Sequence, residues 1–187
     1  MVGIGDGDGA PLLGPPGSRE APPRASPVTI RELTPSDLPF LRRMLLAALF
    51  WRPKRRWFPT RPLLLLPQLA IFHRGWGRPG DTGLVAEEDG RPVGAVWYRF
   101  FTEESHGEGW VDAETPELAI AVVPDRRGSG VGRLLMEAIH ERARADGLRR
   151  ISLSVEPENP AKRLYERLGY VDYEPGDELG RMLLELR

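Results

Sequence analysis

The chain has 187 residues, a formal net charge of -1, 41% apolar and 28% charged residues, and no cysteine. That length suits one domain with a full core, and the near-neutral charge argues against a nucleic-acid partner, which a basic surface would attract. The missing cysteine excludes disulfides, a thiolate nucleophile and a cysteine zinc site, and no apolar run nears the roughly 20 residues that span a bilayer.

Residues 1–27 are dense in Gly and Pro and poor in large apolar side chains. They are expected to form a disordered tail ahead of one folded domain, 28–187. No stretch there has the basic start and apolar core of a secretory signal, so the cytoplasm is the expected location. Val28 to Glu32 alternate as a strand, and Thr34-Pro35-Ser36-Asp37 has the pattern of a helix start. Leu38, Leu41, Leu45 and Leu49 follow at helical spacing as far as Pro53, and a second helix is predicted from Pro62 to about His73. Gly83 to Glu88 and Val93 to Phe101 are β-rich runs joined by the turn signal Asp89-Gly90.

Ser105 to Glu114 is a polar loop, and Leu118 to Val123 is a continuous apolar run typical of a strand buried on both faces. Val131, Leu134, Leu135, Ala138 and Ile139 make the apolar stripe of a helix ending near Gly147. His140 is expected to be exposed on that helix. Ile151, Leu153 and Val155 alternate as a strand; Ala161, Leu164, Tyr165 and Leu168 form a short helix capped by Gly169. Tyr170 to Tyr173 and Met182 to Leu186 close the chain as strands, the last expected to lie exposed and to offer pairing across a homodimer. The pattern is a mixed α/β layer fold, a central mixed sheet flanked by helices.

The chemistry concentrates at Val122-Val123-Pro-Asp-Arg-Arg127-Gly128-Ser129-Gly130-Val131-Gly132-Arg133. A buried strand runs into a glycine-rich turn, and an amphipathic helix starts at about Gly130. A helix's first turn offers unpaired N–H groups and partial positive charge, glycines allow close approach, and Arg127 and Arg133 add full charges. This makes an anion site shaped for phosphate or pyrophosphate. It is not a Walker A loop, which needs Gly-Lys-Ser/Thr, and its glycine spacing differs from the dinucleotide fingerprint.

The spacing Arg127-x-x-Gly130-x-Gly132 resembles the pyrophosphate-binding motif of the GNAT superfamily of N-acetyltransferases. Asn159-Pro-Ala161-Lys-Arg-Leu-Tyr165-Glu-Arg-Leu-Gly169-Tyr170 looks like that family's second motif. The resemblance implies a splayed pair of parallel strands, Leu118–Val123 and Ile151–Val155, with acetyl-CoA in the gap as acyl donor. Backbone groups of Val122 and Val123 would pair with its pantetheine arm, the Val123 N–H polarising the thioester carbonyl. Amides from Gly128 to Arg133 would hold the pyrophosphate. Asn159 would either cap its helix or bond the pantetheine arm. Tyr165 would donate to the departing thiolate, or serve as a core aromatic, or both. Glu117 is the family-like position for the base that neutralises a primary-amine acceptor, with Glu114, Asp112 and His106 as rivals.

His73, His106 and His140 do not form a metal set, and no metal is expected. Trp51, Trp57, Phe58 and Trp76 surround the basic run Arg52 to Arg56 and suggest an aromatic acceptor pocket with cationic edges, set against a hydrophobic minicore with a solvated charge run. Other uses of the fold are a non-catalytic CoA-binding module and transfer of a longer acyl chain.

Overall fold

The computed structural model describes residues 27–52 and 60–187. The expected tail, apart from Pro27, and the run Lys54 to Phe58 lie outside them. The elements are β1 (Thr29–Glu32), α1 (Leu38–Leu49), α2 (Thr60–Leu63), α3 (Pro67–Ala70), β2 (Thr82–Glu88), β3 (Arg91–Arg99), β4 (Glu117–Val122), α4 (Val131–Ala145), β5 (Arg150–Ser154), α5 (Lys162–Arg167), β6 (Val171–Asp172) and β7 (Arg181–Glu185). The sheet order is β1-β2-β3-β4-β5-β7-β6. All neighbours are antiparallel except β4 and β5, which run parallel.

Period-two alternation sends each central strand to two cores. From β2 and β3, Leu84, Ala86, Val96 and Tyr98 enter one core with Val131, Leu135, Met136 and Ile139 of α4. Val85, Ala95 and Trp97 point the other way, onto Phe40, Leu41, Met44 and Leu45 of α1. Both sheet faces are therefore covered, which is why these strands read as nearly continuous apolar runs. The β2–β3 hairpin turns at Asp89 and Gly90, both with positive φ (51° and 69°), as a type I′ turn requires.

Three expectations change. The predicted helix from Pro62 to His73 is two single turns, α2 and α3, because Pro67 lacks the N–H that a continuous helix needs there. The buried face of α4 comprises Val131, Leu135, Met136, Ile139, His140 and Ala143, so His140 is buried while Leu134 is 45% exposed. The apolar stripe is rotated by about one residue from the predicted one. His140 Nε2 pairs with the Tyr170 hydroxyl at 3.0 Å, and burial holds its pKa down at about 4. Finally, β7 is not an edge: β5 lies on one side and β6 on the other, which removes the predicted route to a homodimer through this strand.

One buried ion pair positions the segment after α3. Arg99 and Asp81 have side chains 0% and 1% exposed and meet at 2.8 Å. The same guanidinium donates to the carbonyls of Ile71, Arg74 and Gly75, and Trp97 Nε1 donates to Phe72 O. A buried charge is tolerable only when paired and fully hydrogen-bonded, and here those bonds lock residues 71–75 against β3.

Candidate active site

β3 and β4 share six register pairs and β5 and β7 share five, but β4 and β5 share one, Glu117 with Ser152. Beyond that pair the two parallel strands part. Val123 N–H donates to Val93 O at 2.9 Å. Pairing alternates along an antiparallel ladder, so Ala119 and Ala121 also turn their backbone groups to β3, and Ile120 and Val122 turn theirs into the gap. The Val123 N–H is therefore engaged by β3 and does not face a ligand between the strands. Ile120, absent from the sequence reading, supplies gap-facing groups instead, together with the Val122 N–H. The Val122 carbonyl accepts from Arg127 Nε at 3.2 Å.

The splay opens a cleft of about 1180 Å³. Glu117, Val122, Arg127, Gly128, Gly130, Gly132 and Arg133 border it on the β4–α4 side, and Asn159 and Tyr165 on the other. Val123, Ser129 and Val131 are not in its wall. Ser129 Oγ closes the turn onto Arg126 O at 2.7 Å, and the Val131 side chain is in the core.

At the head of α4, Gly128 and Gly130 have φ of 76° and 94°, a left-handed geometry that side chains rarely adopt. The first helical bond runs from Leu134 N–H to Gly130 O at 3.1 Å, and no side chain caps the helix. The N–H groups of Gly130, Val131, Gly132 and Arg133 are thus left for a ligand. The arginines are less free than their charge suggested. Arg127 donates to the carbonyls of Val122, Trp51 and Ala47, bracing the loop against the end of α1. Arg133 pairs with Glu137 at 2.7 Å on the exposed helix surface.

Glu117 is 3% exposed. Its Oε1 accepts the Gly109 N–H at 2.8 Å, and its Oε2 has no partner. Burial pushes the carboxyl up to about 7, with the Gly109 and Gly107 N–H groups opposing the rise and the nearby Glu108 charge adding to it. The loop wraps this group closely: a Cβ on Gly107 would lie 2.5 Å from Oε1, and one on Gly109 would lie 2.8 Å from it. That Gly-x-Gly was the overlooked signal in the polar loop.

Tyr165 is 7% exposed, packs its ring on Tyr170, and burial drives its phenol well above the ordinary 10. Asn159 Oδ1 accepts the Ala161 N–H at 3.0 Å, so it caps the turn into α5. Of the rival bases, His106 is at the cleft edge, its Nδ1 bonded to Gly107 O and its ring stacked on Trp110. Asp112 pairs with Arg150, and Glu114 is exposed away from the cleft.

The expected aromatic pocket is only partly present. Trp51 borders the cleft, but Trp76 packs in the second core, beneath the buried Arg99. Trp57 and Phe58 lie outside the described residues. Arg52 reaches Glu156 and Glu158, exposed pairs that contribute little. Among the described residues no group of His, Cys, Asp or Glu is placed to hold a metal ion, and no helix is long and apolar enough to cross a membrane.

A model of the Acetyltransferase (GNAT) family matches residues 44–170. Mycothiol acetyltransferase of Cellulomonas flavigena is 30% identical over 159 residues, covering 83% of this chain and 43% of that one. L-2,4-diaminobutyric acid acetyltransferase of Nocardia farcinica is 33% identical over 87 residues, covering 44% of this chain and 39% of that one. The chain thus spans less than half the length of these curated relatives. A GNAT family acetyltransferase from Brucella melitensis, solved in complex with acetyl-CoA, has a similar fold with a TM-score of 0.55 at 23% identity, over 86% of this chain and 88% of that one. Motifs, sheet topology and family match agree, and the chain belongs to the Acetyltransferase (GNAT) family.

Proposed function

We propose that the protein transfers an acetyl group from acetyl-CoA directly to a primary amine. The observation that carries this reading is the single splay that joins an uncapped helix N-terminus to a buried carboxylate with an unpartnered oxygen. The relatives' names and the acetyl-CoA-bound neighbour support the donor.

The N–H groups of Gly130 to Arg133 hold the pyrophosphate, and the unpaired groups of Ile120 with the Val122 N–H take the amides of the pantetheine arm. Acetyl-CoA supplies the activated thioester. An acceptor ammonium with a pKa of about 10.4 must lose a proton before attack, which costs roughly 4.6 kcal/mol at pH 7. Glu117, ionised above about 7 and with Oε2 unpartnered, borders the cleft and is the group we assign to accept that proton. The C–N bond forms as the C–S bond breaks, and the nitrogen's second proton ends on the sulfur. Tyr165 donates a hydrogen bond to the departing thiolate. A thiol has a pKa of about 8.5, well below this buried phenol, so Tyr165 keeps its proton and stabilises charge without surrendering it.

A thermal-shift titration with acetyl-CoA, with ATP and NAD as controls, tests the reading. At a hundredfold over Kd the stabilisation is about 2.7 kcal/mol, a rise of about 5 to 11 °C for a chain of this size. A shift with ATP or NAD and none with acetyl-CoA would overturn it.

A further inference from the structure

Resting on that acetyl transfer, we infer that the acceptor is a primary amine on an extended apolar arm, an alkyl or arylalkyl amine. The floor of the acceptor end brings a carboxylate and an aromatic edge to one point: a Cβ on Gly107 would lie 2.5 Å from both Glu117 Oε1 and Phe72 Cζ. Phe72, Leu66 and Leu69 line the same cleft as Glu117.

At the mouth, three leucines from separate elements stand in water. Leu49 at the end of α1 is 45% exposed, Leu66 between α2 and α3 is 39% exposed, and Leu179 in the β6–β7 connection is 48% exposed. All three border the same cleft. Large apolar side chains converging on one opening mark a contact surface, whereas scattered ones need no explanation. Glu108 and Glu178 border the cleft as well. Arg126, Arg127, Arg133 and Arg167 border it too, but Glu108 lies near enough to Glu117 for its charge to act on that carboxyl, so the floor around Glu117 is the acidic part of the cleft and draws in an ammonium. The nitrogen therefore travels to Glu117, and the remainder of the molecule lies along leucines. An α-amino acid would bring its carboxylate beside Glu117 and Glu108, an unfavourable placement.

The test follows thiol release from acetyl-CoA with n-alkylamines from propyl to heptyl, beside spermidine and L-2,4-diaminobutyrate. Each methylene should raise kcat/KM by about two- to fourfold, the range expected for half to full burial of a CH₂. The double variant Leu66→Ser with Leu179→Ser should flatten that series by raising the amine KM, while the thermal shift with acetyl-CoA stays unchanged. Spermidine or diaminobutyrate outpacing heptylamine, or a flat series in the unaltered protein, would overturn the inference and leave acetyl transfer standing. Absence of any acetyl-CoA stabilisation would remove both.

Discussion

Replacing Glu117 with Gln should make the protein slower and, above neutral pH, more stable. Burial raises this carboxyl from 4.5 to about 7 in the folded state. A group whose folded pKa is raised contributes stability that is full below the unfolded pKa and is lost as pH rises through the folded one. At about 1.4 kcal/mol per pH unit, the native protein loses about 3 kcal/mol across pH 4.5 to 7 through this one side chain. Glutamine keeps the shape, accepts the Gly109 N–H, and has no charge to desolvate. Denaturant melts from pH 4 to 9 on both proteins give the difference curve: near zero at pH 4, rising to about 3 kcal/mol above pH 7.5 in favour of the variant. Over the same range kcat/KM of the native enzyme should climb through about 7, and the variant should be slower by about 10²- to 10⁴-fold, the usual contribution of a positioned base. Parallel stability curves would refute the buried, ionising carboxylate, and an unchanged rate would refute its role as base.

Tyr165→Phe should lower kcat by about 10- to 100-fold, the worth of one hydrogen bond to a charged group, with the acetyl-CoA shift retained; an unchanged kcat would return Tyr165 to the core. Gly130→Ala and Gly147→Ala form a matched pair, with φ of 94° and 78° and open space at both. Each should destabilise by about 1 to 2 kcal/mol, yet only the first should weaken acetyl-CoA binding, as seen by isothermal titration. Equal binding losses would detach the helix N-terminus from the phosphate. His140, held at about 4 by burial, is neutral in the fold, so stability present above 6.5 is lost as pH falls toward 4. His140→Gln should abolish about 3 kcal/mol of that acid sensitivity; identical acid limbs would contradict it.

The strands and the α4 loop were legible because their signals are local. Period-two alternation marks β3, and Arg127-x-x-Gly130-x-Gly132 follows an apolar run. What the sequence hid was register and rotation. Which of Val122 and Val123 faces the gap depends on the pairing phase with β3, and a shift of one residue exchanges their roles. The burial of His140 follows from counting Met136 into the stripe: the two are four apart on one face, and reading Leu134 as apolar drew the face too far round. The rise of Glu117 depends on Gly107 and Gly109 folding over it; the two glycines are visible in the polar loop, but their contact with β4 is not. Arg127 read as a phosphate ligand because its charge is visible in sequence, whereas the carbonyls of Ala47 and Trp51 that hold it come from about 80 residues away.

The divergence of β4 from β5 also bears on solubility. An open strand edge is a template for another chain, and proteins normally blunt such edges with charge, bulges or cover. This sheet has two more edges than its strand order suggests, at Ile120 and Val122 and on the facing side of β5. They are recessed between α1, α4 and α5 instead of lying at the perimeter. A neighbouring molecule's sheet is too broad to enter, and a thread one strand wide is not. The recess therefore sorts by girth: it rejects aggregation partners while keeping its hydrogen-bonding groups available to a slender ligand.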